Sequence, residues 1–354
     1  MPDTAARAAE LELAADWEAA AGLYARCFGE GAEARSVAAL ADASRGEARV
    51  RRCQGRLEEA EELAQLSLEV AERAGLAGAA ARALNMTAAI RFHGGDLEGA
   101  RSLYAASLER AREVRDDELI GFVCQNLGVI ANVRGDLRAA LSLYLESLGS
   151  TVRSGNRRAA VSVYNNLGMV CSDLGEWMEA LVYFSRGIEL AEQLGDRALL
   201  AALCANRAEP LIGVGELDHA AETLDRAEAT SRQAGGPGPE SDVARMRGIV
   251  ARRQGDLRRA NQQMSRALLA AAQAGQELER AEALEQLAYL RREEGRTAEA
   301  CPMLREARQG YRAVGAVRDA DRVGELLAAW ETEDLLADWG TDARAGLAPG
   351  APRP

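Results

Sequence analysis

Amide side chains recur along this chain at one fixed interval. Asn126, Asn166 and Asn206 are equally spaced in the sequence, and Gln125 and Asn165 directly precede two of them. An asparagine amide offers both a hydrogen-bond donor and an acceptor, although asparagine is an indifferent helix former. A row of such amides is therefore suited to binding the backbone of an extended peptide, whatever the side chains of that peptide.

Arginines form a second pattern, and their chemistry suits anions. Arg45, Arg49 and Arg52 have the i, i+4, i+7 spacing that places side chains on one face of a helix. Guanidinium groups pair with carboxylates through two parallel hydrogen bonds, so an acidic peptide or a C-terminal carboxylate is the expected ligand. The alternative is a set of solvated surface charges, because all 43 basic residues of this chain are Arg.

The residue types needed for catalysis are sparse. His93 and His219 are the only histidines, and neither belongs to a motif that supplies a nucleophile or a carboxylate partner. The sequence contains no phosphate-binding glycine loop, no dinucleotide fingerprint and no HExxH zinc motif. We therefore expect a protein that is not an enzyme and that needs neither a cofactor nor a metal.

Composition narrows the classes of partner. The net charge of -12 opposes direct binding to nucleic acid. Six isolated cysteines are typical of buried thiols in a reducing cytoplasm. The N-terminal region lacks the basic segment and apolar core of a signal peptide, and no apolar run reaches the length of about 18 residues that spans a bilayer. We expect a cytoplasmic protein without a membrane partner.

A repeat positions the amides and the arginines. Fragments such as Gly95-Asp96-Leu97 and Gly135-Asp136-Leu137 recur at the same interval as the asparagines, and eight copies are found when Ala15-Asp16-Trp17 is included. We number the repeat positions from 1 to 40, so that Gly95 and Gly135 both occupy position 15. Each copy then contains two helical segments, which glycines at positions 15 and 35 are expected to end.

Positions 8 and 20 of the repeat hold only alanine or glycine. Position 8 is always Ala or Gly, and position 20 is alanine in every copy: Ala20, Ala60, Ala100, Ala140, Ala180, Ala220, Ala260 and Ala300. Two helices that cross closely need side chains no larger than a methyl group where their backbones meet. We therefore predict that each copy is a helical hairpin whose two backbones meet at positions 8 and 20.

These residues resemble the tetratricopeptide repeat, which has a small residue at position 8, glycine at 15, alanine at 20, an aromatic at 24 and a small residue at 27. The resemblance covers residues 3–315, although this unit is longer than the usual one of about 34 residues. It implies an all-α fold: a right-handed superhelical solenoid of eight hairpins over residues 1–315, a capping helix over 316–339 and a disordered tail over 340–354. The Gly/Pro segment 235–239 is interpreted as a stiff break between hairpins.

The resemblance also implies a binding surface. Positions 2, 5, 6, 9, 12 and 13 of each first helix would line a concave channel, and we call this set the inner face. In related arrays an Asn at position 6 commonly contacts a peptide backbone; the alternative is that the amides only space neighbouring helices. The predicted peptide-binding residues are Arg45, Arg49, Arg52, Asn85, Phe92, Gln125, Asn126, Asn165, Asn166, Asn206, Arg245 and Tyr289.

The expected function is that of a non-catalytic scaffold or adaptor. Its partner would be a protein or an extended peptide segment bound along the concave face. Two alternatives stay open at the level of sequence. One is a sensor module that controls a separate output domain, transcriptional or enzymatic, and the other is a scaffold that associates with itself.

Overall fold

The chain folds as a series of helical hairpins in a computed structural model that describes residues 2–33, 36–234 and 240–345. In these ranges all regular secondary structure is α-helical. The seventeen described helices are α1 (Pro2–Leu13), α2 (Trp17–Glu33), α3 (Val37–Cys53), α4 (Leu57–Arg73), α5 (Ala77–His93), α6 (Leu97–Glu113), α7 (Asp117–Val133), α8 (Leu137–Ser154), α9 (Arg157–Asp173), α10 (Trp177–Leu194), α11 (Arg197–Gly213), α12 (Leu217–Ala234), α13 (Glu240–Arg253), α14 (Leu257–Ala274), α15 (Glu277–Glu293), α16 (Thr297–Ala313) and α17 (Val317–Ala345). Helices α1 to α16 pair into eight hairpins, and the predicted all-α solenoid is confirmed.

The last helix is longer than predicted, and the Gly/Pro segment cannot be compared with its prediction. Helix α17 begins at Val317 and continues to Ala345, whereas the capping helix was expected to end at Trp339. The remainder of the predicted disordered tail, residues 346–354, lies outside the described residues. The predicted stiff break at 235–239 also lies outside them.

The turns within and between hairpins use a left-handed residue. Gly95 joins α5 to α6 with φ +84. Its N–H donates to Phe92 O at 3.1 Å, and the Asp96 N–H donates to Arg91 O at 3.0 Å, so carbonyls at the end of α5 have partners. Every described glycine at positions 15 and 35 has positive φ, which confirms the prediction. Ala15 (φ 57) and Arg115 (φ 53) adopt the same conformation where the repeat has no glycine.

Position 20 is packed as predicted. All eight alanines at this position, from Ala20 to Ala300, have no solvent-exposed surface. Within each hairpin this methyl group lies at the contact between the first and the second helix. A larger side chain at position 20 would therefore have to push the two helices apart.

The small residue at position 8 lies next to a ring of the second helix. A Cβ atom built on Gly128 would lie 2.5 Å from Cε1 of Tyr144, and one built on Gly168 would lie 2.6 Å from Cε1 of Phe184. Each ring occupies position 24 of the hairpin that contains the glycine. The small residue at position 8 thus accommodates a side chain from position 24 of the second helix, a contact that the sequence analysis did not predict.

Buried hydroxyl groups add a hydrogen bond to several hairpins. Ser67, Ser107 and Ser147 occupy position 27 and donate to the carbonyl at position 1 of the same hairpin, each at 2.7 Å. Ser241 makes the reverse connection, from position 1 to Ala267 O at 3.1 Å. The sequence showed only that position 27 is small, so these bonds are a finding of the structure.

The chain divides into two compact units. Unit 1 comprises Met1–Ala131 and Arg138–Val163, and unit 2 comprises Asn132–Leu137 and Tyr164–Pro354. Within unit 2, the side chain of Arg318 lies against Gly135, since a Cβ built there would be 3.5 Å from Arg318 Cδ. Helix α17 therefore reaches the short segment that precedes α8.

Candidate functional site

First helices of successive hairpins contact one another. Such contacts join α3 to α5 in unit 1, and α11 to α13 and α13 to α15 in unit 2. Hydrogen bonds and ion pairs along the inner face recur at a spacing of 41 residues: Arg52 with His93, Asn206 with Asn165, Arg252 with Glu293, and Arg292 with Glu333. The two partners in each contact are therefore separated by one residue more than the 40-residue repeat.

Two of the predicted amides in unit 2 form a pair. Asn206 Nδ2 donates to Asn165 Oδ1 at 2.9 Å, which joins α11 to α9. Asn165 Nδ2 makes a weaker contact with the sulfur of Met169 at 3.3 Å. Asn166 is half-buried, and no residue in the described part of the chain hydrogen-bonds its amide. The pair forms between positions 5 and 6, while the three Asn of position 6 do not bond one another.

The amides of unit 1 lie on α5 and α7. Asn85 Oδ1 is buried without a hydrogen-bond partner. Gln125 and Asn126 are half-buried, and the described residues supply no hydrogen bond to either side chain. Position 6 is occupied by a buried Met86 on α5, so this position does not carry a polar group in every hairpin.

Most inner-face arginines are paired with carboxylates of the chain itself. Arg45 Nη2 lies 2.9 Å from Asp42 Oδ1. Arg49 donates to both oxygens of Glu12, at 2.5 and 2.7 Å, and to the hydroxyl of Tyr24 at 2.9 Å. Burial raises the pKa of Tyr24 to about 12. These contacts neutralise Arg45 and Arg49, so only part of the predicted arginine stripe is available to an anion.

Arg45 and Arg49 also line a cavity in unit 1. Its volume is about 360 Å³, and it lies between α1, α2 and α3. The walls consist mainly of small side chains, with charged groups and one aromatic ring added: Ala5, Tyr24, Cys27, Ala39, Asp42, Ala43, Arg45, Gly46 and Arg49.

Arg52 differs from the other predicted arginines. Its Nη1–H donates to Nε2 of His93, at 2.5 Å, and Nη2 lies 3.9 Å from the sulfur of Cys53. Arg52 Nε is buried without a partner. No described carboxylate pairs with this guanidinium, so its positive charge is not compensated.

Several carboxyl groups lie near Arg245 on the inner face of unit 2. Arg245 pairs with Asp242 at 3.3 Å and with Glu282 at 2.9 Å, and its side chain is 15% exposed. Burial raises the pKa of Glu282 to about 7, although Arg245 opposes the shift. Burial also raises the pKa values of Asp173 and Glu209. Asp173 also lies 3.8 Å from Arg318, so guanidinium groups of two helices face these carboxyl groups.

Glu285 and Trp330 contribute to this region, and sequence reasoning missed both. Glu285 is only 3% exposed, accepts from Tyr311 Oη at 2.9 Å, and pairs with Arg322 at 2.5 Å. Trp330 packs edge-on against Tyr289, with ring centroids 5.4 Å apart. The guanidinium of Arg252 lies 5.5 Å from the centre of the Tyr289 ring. Trp330 and Arg252 therefore already contact the Tyr289 ring, which was predicted to contact a ligand.

The two histidines lie apart, on α5 and α12. His93 is exposed, and Phe92 packs edge-on against its ring at 6.3 Å between centroids. His219 Nδ1 lies 3.2 Å from a carboxylate oxygen of Glu216 at the surface. Within the described residues, no three or more His, Cys, Asp and Glu side chains are grouped to hold a metal ion. None of the described helices is both long and apolar enough to cross a membrane.

Comparison with known proteins gives similarity in structure alone. No protein-family model matches the sequence, and no curated protein does either. A signal transduction ATPase with a tetratricopeptide repeat sensor, from Pyrococcus horikoshii, matches with a TM-score of 0.58 at 15% identity, over 89% of this chain and 45% of that chain. This chain has the tetratricopeptide-repeat fold.

Two further solved structures have the same arrangement of repeats. A Rap protein complexed with Competence and Sporulation Factor matches with a TM-score of 0.56 at 13% identity, over 93% of this chain and 99% of that chain. The Rap conjugation gene regulator of plasmid pLS20, in complex with the Phr* peptide, matches with a TM-score of 0.55 at 15% identity, over 75% of this chain and 72% of that chain. At these identities the similarity concerns the fold.

The tetratricopeptide-repeat fold distributes the predicted site residues over both units. Unit 1 contains Arg45, Arg49, Arg52, Asn85, Phe92, Gln125 and Asn126, and unit 2 contains Asn165, Asn166, Asn206, Arg245 and Tyr289. The sequence did contain a signal for some of the partners that it did not predict. A search at a spacing of 41 residues, one more than the repeat period, pairs His93 with Arg52 and Glu293 with Arg252.

Proposed function

We propose that this chain is a non-catalytic module that binds an extended peptide segment through the inner face of unit 2. The observation that carries the proposal is the amide pair between Asn206 and Asn165. These side chains hold each other in place through one hydrogen bond of 2.9 Å. Their remaining polar atoms are directed by that bond, so little side-chain entropy is lost when a ligand binds.

The chemistry of the pair complements a peptide unit. Asn206 uses its Nδ2 group toward Asn165, so its Oδ1 atom remains as an acceptor. Asn165 uses its Oδ1 atom, and within the described part of the chain its Nδ2 group has only the sulfur of Met169 as a partner. One acceptor beside one donor matches the N–H and C=O groups of a peptide backbone. Each such bond contributes about 0.5–1.5 kcal/mol to binding.

Charge near the pair favours a neutral or basic ligand sequence in unit 2. Glu209 follows Asn206 by about one helical turn, and the pKa of its carboxyl group is raised by burial. Arg245 on the next first helix is already paired with Asp242 and Glu282. A basic side chain of the peptide would favour the ionised form of the Glu209 carboxyl group. The acidic ligand predicted from the arginines finds its supporting group in unit 1, at Arg52.

The solved structures that share this fold support binding of a peptide. One Rap protein is complexed with Competence and Sporulation Factor, and another is in complex with the Phr* peptide. These two chains are 13% and 15% identical to this one, so the argument rests mainly on the amide pair.

The test compares peptide binding by one isosteric variant and one control. Asn165→Asp keeps the oxygen that accepts from Asn206 but removes the donor offered to the ligand. Gln262→Ala removes an exposed amide from second helix α14 and serves as the control. A library of synthetic dodecapeptides is screened with the original protein, and the selected peptides are titrated against each variant by fluorescence anisotropy.

We expect Asn165→Asp to weaken binding of the selected peptides by about 3- to 10-fold, which corresponds to one lost hydrogen bond. Gln262→Ala should leave the dissociation constant unchanged. N-methylation of one backbone amide in the peptide should reproduce the loss. The proposal is refuted if the library yields no binder, or if the two variants bind the selected peptides equally well.

A sensor module is the second candidate, and the match to the P. horikoshii protein favours it. The name of that protein includes a tetratricopeptide repeat sensor, and 89% of this chain matches 45% of it. A sensor must change conformation when it binds, whereas a passive scaffold need not. Hydrogen exchange of α17, measured with and without a selected peptide, separates the two: altered protection supports a sensor, and unchanged protection supports a scaffold.

A further inference from the structure

The hydrogen bond between Arg52 and His93 fixes the protonation state of the histidine. Arg52 Nη1 and His93 Nε2 are 2.5 Å apart. A guanidinium group can only donate, so Nε2 must accept and the imidazole proton must be on Nδ1. His93 is therefore neutral while this bond exists, and Arg52 provides the only charge of the pair.

The other repeats show what is unusual about this pair. Arg252 and Arg292 occupy the same repeat position as Arg52, and each pairs with a glutamate 41 residues further along, Glu293 and Glu333. In those hairpins the charge of the arginine is compensated. His93 takes the place of the glutamate in unit 1, so one positive charge stays uncompensated at the corresponding place on the inner face.

Among the described residues, the groups around the pair offer no alternative carboxylate. Helix α3 contributes Cys53, whose sulfur lies 3.9 Å from Arg52 Nη2. Helix α6 contributes Tyr104, which is close enough for Arg52 to act on its titration, although burial dominates and raises the pKa of that phenol to about 12. On α5, Arg91 is paired with Glu61 of α4 and with Asp96. Glu61 and Asp96 therefore compensate the charge of Arg91.

We propose that Arg52 and His93 form a carboxylate-binding site in which ligand binding is coupled to protonation of His93. The carboxylate would accept the hydrogen bond from Arg52 Nη1 that His93 now accepts. Nε2 of His93, released from Arg52, takes a proton from solvent and donates it to the same carboxylate in a hydrogen bond. The ligand group is a carboxylate on a peptide, either an acidic side chain or the C-terminus.

The sign of the coupling follows from the two states. Without a ligand, burial and the charge of Arg52 lower the pKa of His93, so the imidazole stays neutral. A bound carboxylate stabilises the imidazolium form and raises that pKa. Proton and carboxylate binding are linked, so affinity for the carboxylate must increase as the pH falls from the raised pKa of His93 in the bound state to its lowered pKa in the free state.

Proton NMR of the imidazole signals tests this coupling directly, because the chain has two histidines and His219 serves as the internal reference. The probe is tri-aspartate with blocked termini, whose carboxylates stay ionised above a pH of about 5. We expect the titration of His93 to move to higher pH at saturating probe, with no response from His219. Binding should be about tenfold tighter at a pH of about 5.5 than at about 7.5.

Two variants at His93 provide matched controls. His93→Glu reproduces the Arg252–Glu293 pair and should abolish binding of the probe. His93→Gln keeps a neutral acceptor for Arg52 and should bind with the same affinity at both pH values. Blocked tri-aspartate and trialanine with a free C-terminus distinguish side-chain from C-terminal carboxylates.

Absence of any probe-induced change in the His93 titration would overturn the inference, and so would equal binding by His93→Glu. The inference rests on the proposed peptide-binding function and deepens it by assigning a chemical group to the ligand. Its test reads His93 in unit 1, whereas the proposed function is tested through Asn165 in unit 2. Failure of one is therefore distinguishable from failure of the other.

Discussion

Gly168 provides the sharpest test of how the hairpins pack. A Cβ atom at this position would lie 2.6 Å from both Cε1 and Cζ of Phe184 and 2.8 Å from Cδ1. Carbon atoms in van der Waals contact are about 3.5–4.0 Å apart, so the ring would have to move by roughly 1 Å. Because Phe184 is fully buried, it has no free space to move into.

The expected cost of Gly168→Ala follows from two opposing terms. Overpacking costs about 1–3 kcal/mol, and replacing a helical glycine with alanine returns about 1 kcal/mol. The net loss in free energy of unfolding should be about 1 kcal/mol, measured by urea denaturation followed by circular dichroism. Gly22→Ala is the control, since a Cβ at that exposed helical position meets nothing within 4 Å, and it should stabilise by about 0.5–1 kcal/mol.

A double-mutant cycle identifies the ring as the cause. Gly168→Ala combined with Phe184→Leu recreates the Ala208 and Leu224 pair that the next hairpin already contains at the same two positions. The double variant should be more stable than the sum of the single effects predicts, with a coupling energy of about 1 kcal/mol. Strict additivity, or equal effects of Gly168→Ala and Gly22→Ala, would refute the assignment of position 8 as the place of the ring.

Three further predictions concern packing, backbone strain and a buried carboxyl group. Ala140→Leu should cost about 1–3 kcal/mol because Ala140 is fully buried, whereas Ala139→Leu at the half-buried neighbouring site should cost much less; equal shifts in melting temperature would contradict the packing of position 20. Arg115→Gly should stabilise the fold by about 1 kcal/mol, since Arg115 has φ 53 and left-handed backbone is unfavourable for a residue with a Cβ; urea denaturation that shows a loss would contradict the strain. Burial raises the pKa of Glu282 to about 7 in the folded protein. The contribution of Glu282 to the free energy of unfolding is therefore greatest below its unfolded pKa of about 4.3. This contribution declines by up to about 3 kcal/mol as the pH rises to about 7. Glu282→Gln should remove this decline from the pH profile of unfolding, and an unchanged profile would show that Glu282 stays ionised.

The sequence alone determined the repeat, because the period is set by contacts inside one hairpin. Alanine at position 20 and glycine at positions 15 and 35 are favoured wherever two helices of fixed length cross and turn, so they recur along the chain. These contacts join residues close in sequence, and local geometry sufficed to predict them. The predicted burial of Ala140 and the positive φ of Gly95 are accordingly confirmed.

Tertiary structure decided which inner-face groups are available to a ligand. Neighbouring first helices are offset, so partners lie 41 residues apart: Asn206 bonds Asn165 rather than Asn166, and Arg52 bonds His93. The same offset pairs Arg252 with Glu293, which removes its charge from the predicted basic surface. A periodicity analysis at the repeat length identifies the residues that share a position, but it cannot show this offset. The offset depends on how side chains of separate hairpins interdigitate, and only the folded chain fixes that.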